Sequence, residues 1–293
     1  MLNRTAHRGI VVGVDGSAHS HVAVRWAARE AVMRHVALTI VHVLPIPLEG
    51  WTEWAYMPTE LGPLQDKRGQ QIIDEATRVA KDATTDGGHV QIDTEMYFSP
   101  AVSTMVVLTE DAQMVVVGCR GHGVLRRILL GSMSTALVQH AKCPVAVIHD
   151  EVVPALRAPV LVGIDGSPVS ELATAIAFDE ASSRGVDLVA LHAWSDADVA
   201  DMPAVNWLVV GPEAEETLAE RLAGWEERYP DVRVRRRVVA DGPARHLLKE
   251  SESSQLVVVG SHGRGGFAGM LLGSVSTAVV HAARIPVIVA RQG

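Results

Sequence analysis

Residues 114–135 read MVVVGCRGHGVLRRILLGSMST, and the reading of this stretch decides the fold. Met114 to Val117 is an apolar run too short for a helix, which predicts a buried strand. Gly118, Gly121 and Gly123 punctuate the loop that follows, and nine residues separate Gly121 from Gly131, where Ser132 opens a helix. A strand, a glycine loop and a helix start, in that order, describe an anion cradle. Glycines let backbone N–H groups turn inward, and the helix dipole favours negative charge at its N-terminus. Residues 256–277, LVVVGSHGRGGFAGMLLGSVST, repeat the object with Gly260, Gly263 and Gly265 ahead of Gly273-Ser274.

The repetition extends outward to the whole chain. Residues 9–17 (GIVVGVDGS) match 159–167 (PVLVGIDGS), so that Asp15 and Asp165 lie 150 residues apart, as do His42 and His192. Gly118 and Gly260 lie 142 apart, as do Pro144 and Pro286. The second copy is therefore eight residues shorter, and the expected place is the counterpart of residues 44–63, a stretch rich in Pro and Trp. Residues 150–158 (DEVVPALRA) read as a linker, giving two domains of one kind, 1–150 and 159–293.

Within the first copy, Val11 to Asp15 predicts a buried strand, and residues 17–35 show helical spacing with Val22, Trp26, Ala27 and Met33 on related faces. Residues 38–43 read as a strand, 70–83 as a helix, 90–97 as a strand and 101–112 as a helix. The run 114–117 is the fourth strand, 132–141 the fourth helix and 144–148 the last strand. Strands alternating with helices, and apolar on both faces, imply a parallel sheet covered on both sides. The fold class is α/β, doubly wound, although strand order is not readable from the pattern.

Composition narrows the function. A chain of 293 residues with 48% hydrophobic and 20% charged residues is globular, and a formal charge of −8 argues against a nucleic-acid surface. No apolar run approaches the roughly 20 residues that span a bilayer, and the start of the chain carries no secretory signal, so a cytoplasmic protein is expected. Cys119 and Cys143 stand in no metal-ligand or CxxC spacing and read as reduced thiols.

In doubly wound sheets ligands bind beyond the carboxyl ends of the strands. The loops there carry Gly13, Asp15, Gly16 and Ser17 after the first strand and the glycine cradle after the fourth, with Gly163 and Asp165 their partners in the second copy. Asp15-Gly16-Ser17 alone also reads as a plain turn and helix cap, and Gly131-Ser132 as an N-cap only. The cradle is not a P-loop, for no lysine follows the glycines. Arg120 and His122 in the first loop become His262 and Arg264 in the second, so arginine and histidine exchange places while the glycines stay. A bidentate phosphate contact would not tolerate that move, so backbone N–H groups are expected to hold the anion. Arg126 and Arg127 add positive charge in the first copy only, where the second has Ala268 and Gly269. His19-x-His21 and the strand-end His42 and His192 read as solvated or structural histidines ahead of a metal site or general base.

These residues carry a resemblance. The spacing of Gly118, Gly121 and Gly131-Ser132, and again of Gly260, Gly263 and Gly273-Ser274, resembles the ATP-binding signature of the universal stress protein family, with Asp15 and Asp165 at the family's first-strand aspartate. The resemblance covers the chain as a tandem. It implies five parallel strands ordered 3-2-1-4-5 in each domain, and ATP, with or without Mg²⁺, as the ligand. The phosphates would lie on the glycine loop and the helix start (Ser132, Met133 and Ser134; Ser274, Val275 and Ser276), and the adenosine near Val41 and Ala193. The resemblance also implies pairing through the last strands, 145–148 and 287–289, within the chain and in homodimers.

The expected function is an ATP-binding regulator of the cytosolic stress response, hydrolysing ATP slowly or not at all. An adenylyl-transferring enzyme of the same superfold and a nucleotide-free scaffold are the competing readings. Residues 49–59, with Trp51, Trp54 and Tyr56, read as a lid or a partner loop.

Overall fold

The computed structural model describes residues 8–44, 61–85, 87–121, 130–149, 152, 154–194, 207–263 and 271–291. Two compact units emerge, meeting at residues 148 and 149, and each is an α/β domain.

In unit 1 the order is β1 (Ile10–Val14), α1 (Ala18–Met33), β2 (Leu38–Leu44), α2 (Leu61–Thr84), β3 (Ile92–Phe98), α3 (Ala101–Leu108), β4 (Met114–Gly118), α4 (Ser132–His140) and β5 (Val145–Ile148). In unit 2 it is β6 (Val160–Ile164), α5 (Pro168–Arg184), β7 (Leu188–Ala193), α6 (Trp207–Arg228), β8 (Val234–Val239), α7 (Pro243–Ser251), β9 (Leu256–Gly260), α8 (Ser274–Ala282) and β10 (Val287–Ala290). The strands of unit 1 lie in the order β3-β2-β1-β4-β5 and those of unit 2 in the order β8-β7-β6-β9-β10, all parallel. The expected order 3-2-1-4-5 is thus present in both, and it makes the first and fourth strands neighbours.

The central strands are apolar on both faces because helices cover both. Ile10, Val11, Val12, Val115 and Val116 are wholly buried. The edge strands β3 and β8 instead carry exposed charge, Asp93 in one and Arg235, Arg236 and Arg237 in the other. Two glycines identify the faces. The space beside Gly13 is filled by Met105 of α3, whereas Gly69 of α2 sits against His42 and Met96. So α2 lies on one side of the sheet and α3 on the other.

Two expectations need correcting. The buried face of α1 is not built on Val22, Trp26 and Met33, which are half-buried; it is a stripe of small residues, Ala23, Val24, Ala27, Ala28 and Ala31. Small side chains let the helix lie close to β1 and β4. The second helix starts at Leu61 instead of Gln70, with Pro63 in its first turn, where a missing N–H costs nothing. The repeat offset is still 150 at β2 and β7 and is 142 at β3 and β8, so the eight-residue difference falls between them. Residues 49–59 lie outside the described residues.

Candidate functional site

The loops after the first and fourth strands meet in each unit, and the fixed point is an aspartate. The Ser17 backbone N–H donates to Asp15 Oδ1 at 2.9 Å, and Ser167 N–H donates to Asp165 Oδ1 at 2.8 Å. Each serine then caps the following helix, accepting from the N–H of Ser20 or Ser170 at 3.2 Å. The turn-and-cap reading of this loop is correct, and it leaves the other carboxylate oxygen to face the glycine loop. A Cβ placed on Gly121 would stand 2.6 Å from Asp15 Oδ2, and one on Gly263 would stand 2.4 Å from Asp165 Oδ2. At either distance a side chain would displace the aspartate or the loop, so glycine there lets the two loops meet as they do.

The glycine loop is tied down at both ends. Cys119 N–H donates to Ile148 O and Ser261 N–H to Ala290 O, both at 3.0 Å, which continues the strand ladder for one residue. Gly131 N–H donates to Cys119 O at 2.8 Å, and Gly273 N–H to Ser261 O at 2.7 Å, closing the loop on the helix start. Ser134 Oγ donates to Gly118 O at 2.8 Å, and Ser276 Oγ to Gly260 O at 2.5 Å. Gly131 and Gly273 are the N-caps of α4 and α8, and neither supplies a side-chain acceptor. The N-cap residue thus gives the first-turn N–H groups no side-chain partner of the kind that most helices supply.

In unit 2 these groups surround a cavity of about 210 Å³. Gly163, Asp165, Ala193, Gly260, His262 and Gly263 line it, with Gly273, Ser274, Val275 and Ser276 at the helix end. The polar part of the lining is backbone, Asp165 and the serines, and the apolar part is Leu191, Ala193, Pro243, Leu247 and Val259. In unit 1 the matching residues are held the same way: Gly13 and Val41 are register partners, and Asp15 abuts Gly121. Arg120 is half-buried, Ser132 exposed, Met133 half-buried and Ser134 buried. His122, Gly123, Arg126, Arg127, Arg264, Gly265, Ala268 and Gly269 lie outside the described residues.

The strand-end histidines are structural. His42 Nδ1–H donates to Val14 O and His192 Nδ1–H to Ile164 O, both at 2.7 Å, and both rings are buried. Each ring is thereby a clamp between the second strand and the end of the first. Burial, and then the charge of Arg245, hold His246, beside the cavity wall on α7, below the ordinary histidine range.

Several wall residues were not expected. Leu191, Leu247, Pro243 and Val259 belong to the apolar lining. By register, Val41 corresponds to Leu191, and Ala193 corresponds to Val43, two residues further on. The internal offset of 150 carried that signal. Arg221 of α6 does not line the cavity: its guanidinium lies over Gly166 and reaches Glu171 at 3.4 Å, while unit 1 has Val79 at the position 142 residues earlier.

A three-layer α/β domain in which a first-strand aspartate meets a glycine loop, present twice, defines the class. The sequence matches the model of the universal stress protein family at residues 7–149 and again at 157–291, and the chain belongs to that family as a tandem of two such domains. It is 57% identical to a universal stress protein of Mycobacterium bovis over 97% of each chain. It is 53% identical to one of Mycobacterium tuberculosis over 100% of this chain and 99% of the other. Among solved structures, a universal stress protein from Archaeoglobus fulgidus has the same fold at 18% identity, with a TM-score of 0.71 over 99% of this chain and 100% of that one.

Proposed function

We propose that the chain is an ATP-binding regulatory protein of the cytoplasmic stress response, with one adenine nucleotide held in each unit as a conformational ligand. The observation that carries this reading is the uncapped start of α4 and of α8, closed by the Gly131 and Gly273 bonds onto the glycine loop. The phosphates lie on those N–H groups and on Ser132 or Ser274, and the base lies against the apolar wall. Bound ATP supplies the difference in contact between two states that a switch requires. ATP binds with or without Mg²⁺ in this proposal, and Asp15 and Asp165 are the carboxylates that would meet the ion.

Hydrolysis is slow in this proposal because the cradle brings neither a P-loop lysine nor a residue placed to orient water. The protein works as a homodimer. Titrating purified protein with ATP should raise its unfolding temperature, by the stabilisation any ligand gives the state it binds. Turnover at kinase-like rates of roughly 1–100 per second would contradict the regulatory reading. Light scattering tests the dimer.

A further inference from the structure

The two sites of one chain are unequal in their apolar linings. Gly13 faces Met105 and Val117, and Gly163 faces Leu247 and Val259, so these glycines mark the ligand side of each sheet. Val41 and Leu191 are their register partners on that side. Side chains alternate along a strand, so Val43 and Ala193, two residues on, share it. Ala193 lines the cavity of unit 2.

At the strand position that lines the cavity of unit 2, unit 1 therefore has Val43 where unit 2 has Ala193. In a site walled by apolar side chains, one methylene discriminates ligands by about 10–200-fold.

We propose that Val43 and Ala193 are the size gates of the two sites, so that unit 2 accepts a nucleotide with an enlarged base and unit 1 rejects it. This rests on the nucleotide reading above. The glycines and the helix start take the phosphates, which leaves the base to the apolar lining that includes Ala193.

The test measures binding stoichiometry by equilibrium dialysis with ATP and with two enlarged analogues, one benzylated on the exocyclic amine and one substituted at C8. Wild type should bind two ATP per chain but one of at least one analogue. Val43→Ala should raise that analogue to two, and Ala193→Val should lower it to none while still binding ATP in unit 1. That retained ATP shows that the variant is folded. The gate is wrong if both substitutions leave the analogue stoichiometry unchanged, or if neither analogue binds a wild type that binds ATP. A wild type that binds no ATP sinks the nucleotide reading itself, which is a separate result.

Discussion

At the scale of single residues the site depends on atoms that are not there. Substituting Ala at Gly121 or Gly263 would place a carbon within 2.6 or 2.4 Å of a carboxylate oxygen whose partner oxygen is already bonded to the next turn. The aspartate must then move, or the loop must. Each substitution should cost its own unit at least about fivefold in nucleotide affinity, since one displaced polar contact is worth about 1–3 kcal/mol. Calorimetric titration should show one site lost and the other kept; two unaltered sites would sever the loop from binding. A second residue prediction concerns stability alone. His35 ends α1 with φ of 54°, and its N–H donates to Val32 O while Val36 N–H donates to Ala31 O. The same closure at α5 uses Gly185 with φ of 62°. Left-handed backbone costs a side-chain-bearing residue about 1–2 kcal/mol, so His35→Gly should stabilise unit 1 by about 1 kcal/mol. A denaturant titration reads this directly, and a loss of stability would show that the His35 side chain contributes more than its backbone costs.

At the scale of elements, α4 and α8 set the two readings of the glycine motif against each other. If Gly131 were only a helix cap, a better cap should be neutral or helpful in every respect. Its φ of −65° and ψ of 155° suit a capping Asp, and a Cβ there meets nothing closer than 3.4 Å. Gly131→Asp should therefore keep or slightly raise the unfolding temperature of the ligand-free protein. The new carboxylate would also occupy the N–H groups proposed for phosphate, so unit 1 should lose its nucleotide. Retained binding with a raised unfolding temperature would favour the cap reading. The caps that do act as caps behave differently: Ser17→Ala or Ser167→Ala should cost about 1 kcal/mol of stability, measurable as a lower denaturation midpoint.

These elements also show what the sequence made legible. The strands and the glycine loops were readable because a short apolar run and a repeated glycine spacing are compatible with few local structures. The helical spacing of Val22, Trp26, Ala27 and Met33 did not pick out the core face of α1, because a helix lying close to a sheet buries alanines, Ala27 among them. The start of α2 was missed because Gly62 and Pro63 resemble a loop, although a first turn tolerates both. Leu191 and Leu247 went unnoticed because a site wall made of ordinary core residues has no local signature. Arg221 could not have been found at all, since only the tertiary fold brings α6 over Gly166.

At the scale of the whole molecule the chain is one design carried out twice with differences. Both copies keep the aspartate turn, the looped glycines, the uncapped helix and the strand-end histidine clamp. They differ at Val43 and Ala193, at Arg120 and His262, and at Val79 and Arg221. On the function proposed above, the cradle kept in both copies predicts two occupied sites, and the divergence of the walls predicts that they do not respond alike. The most direct measurement is to denature freshly purified protein, with Gly121→Ala and Gly263→Ala beside it, and chromatograph the nucleotide released. The account predicts adenine nucleotide at two per wild-type chain and one for each variant. No nucleotide from the wild type, together with no rise in unfolding temperature on adding ATP, would contradict it.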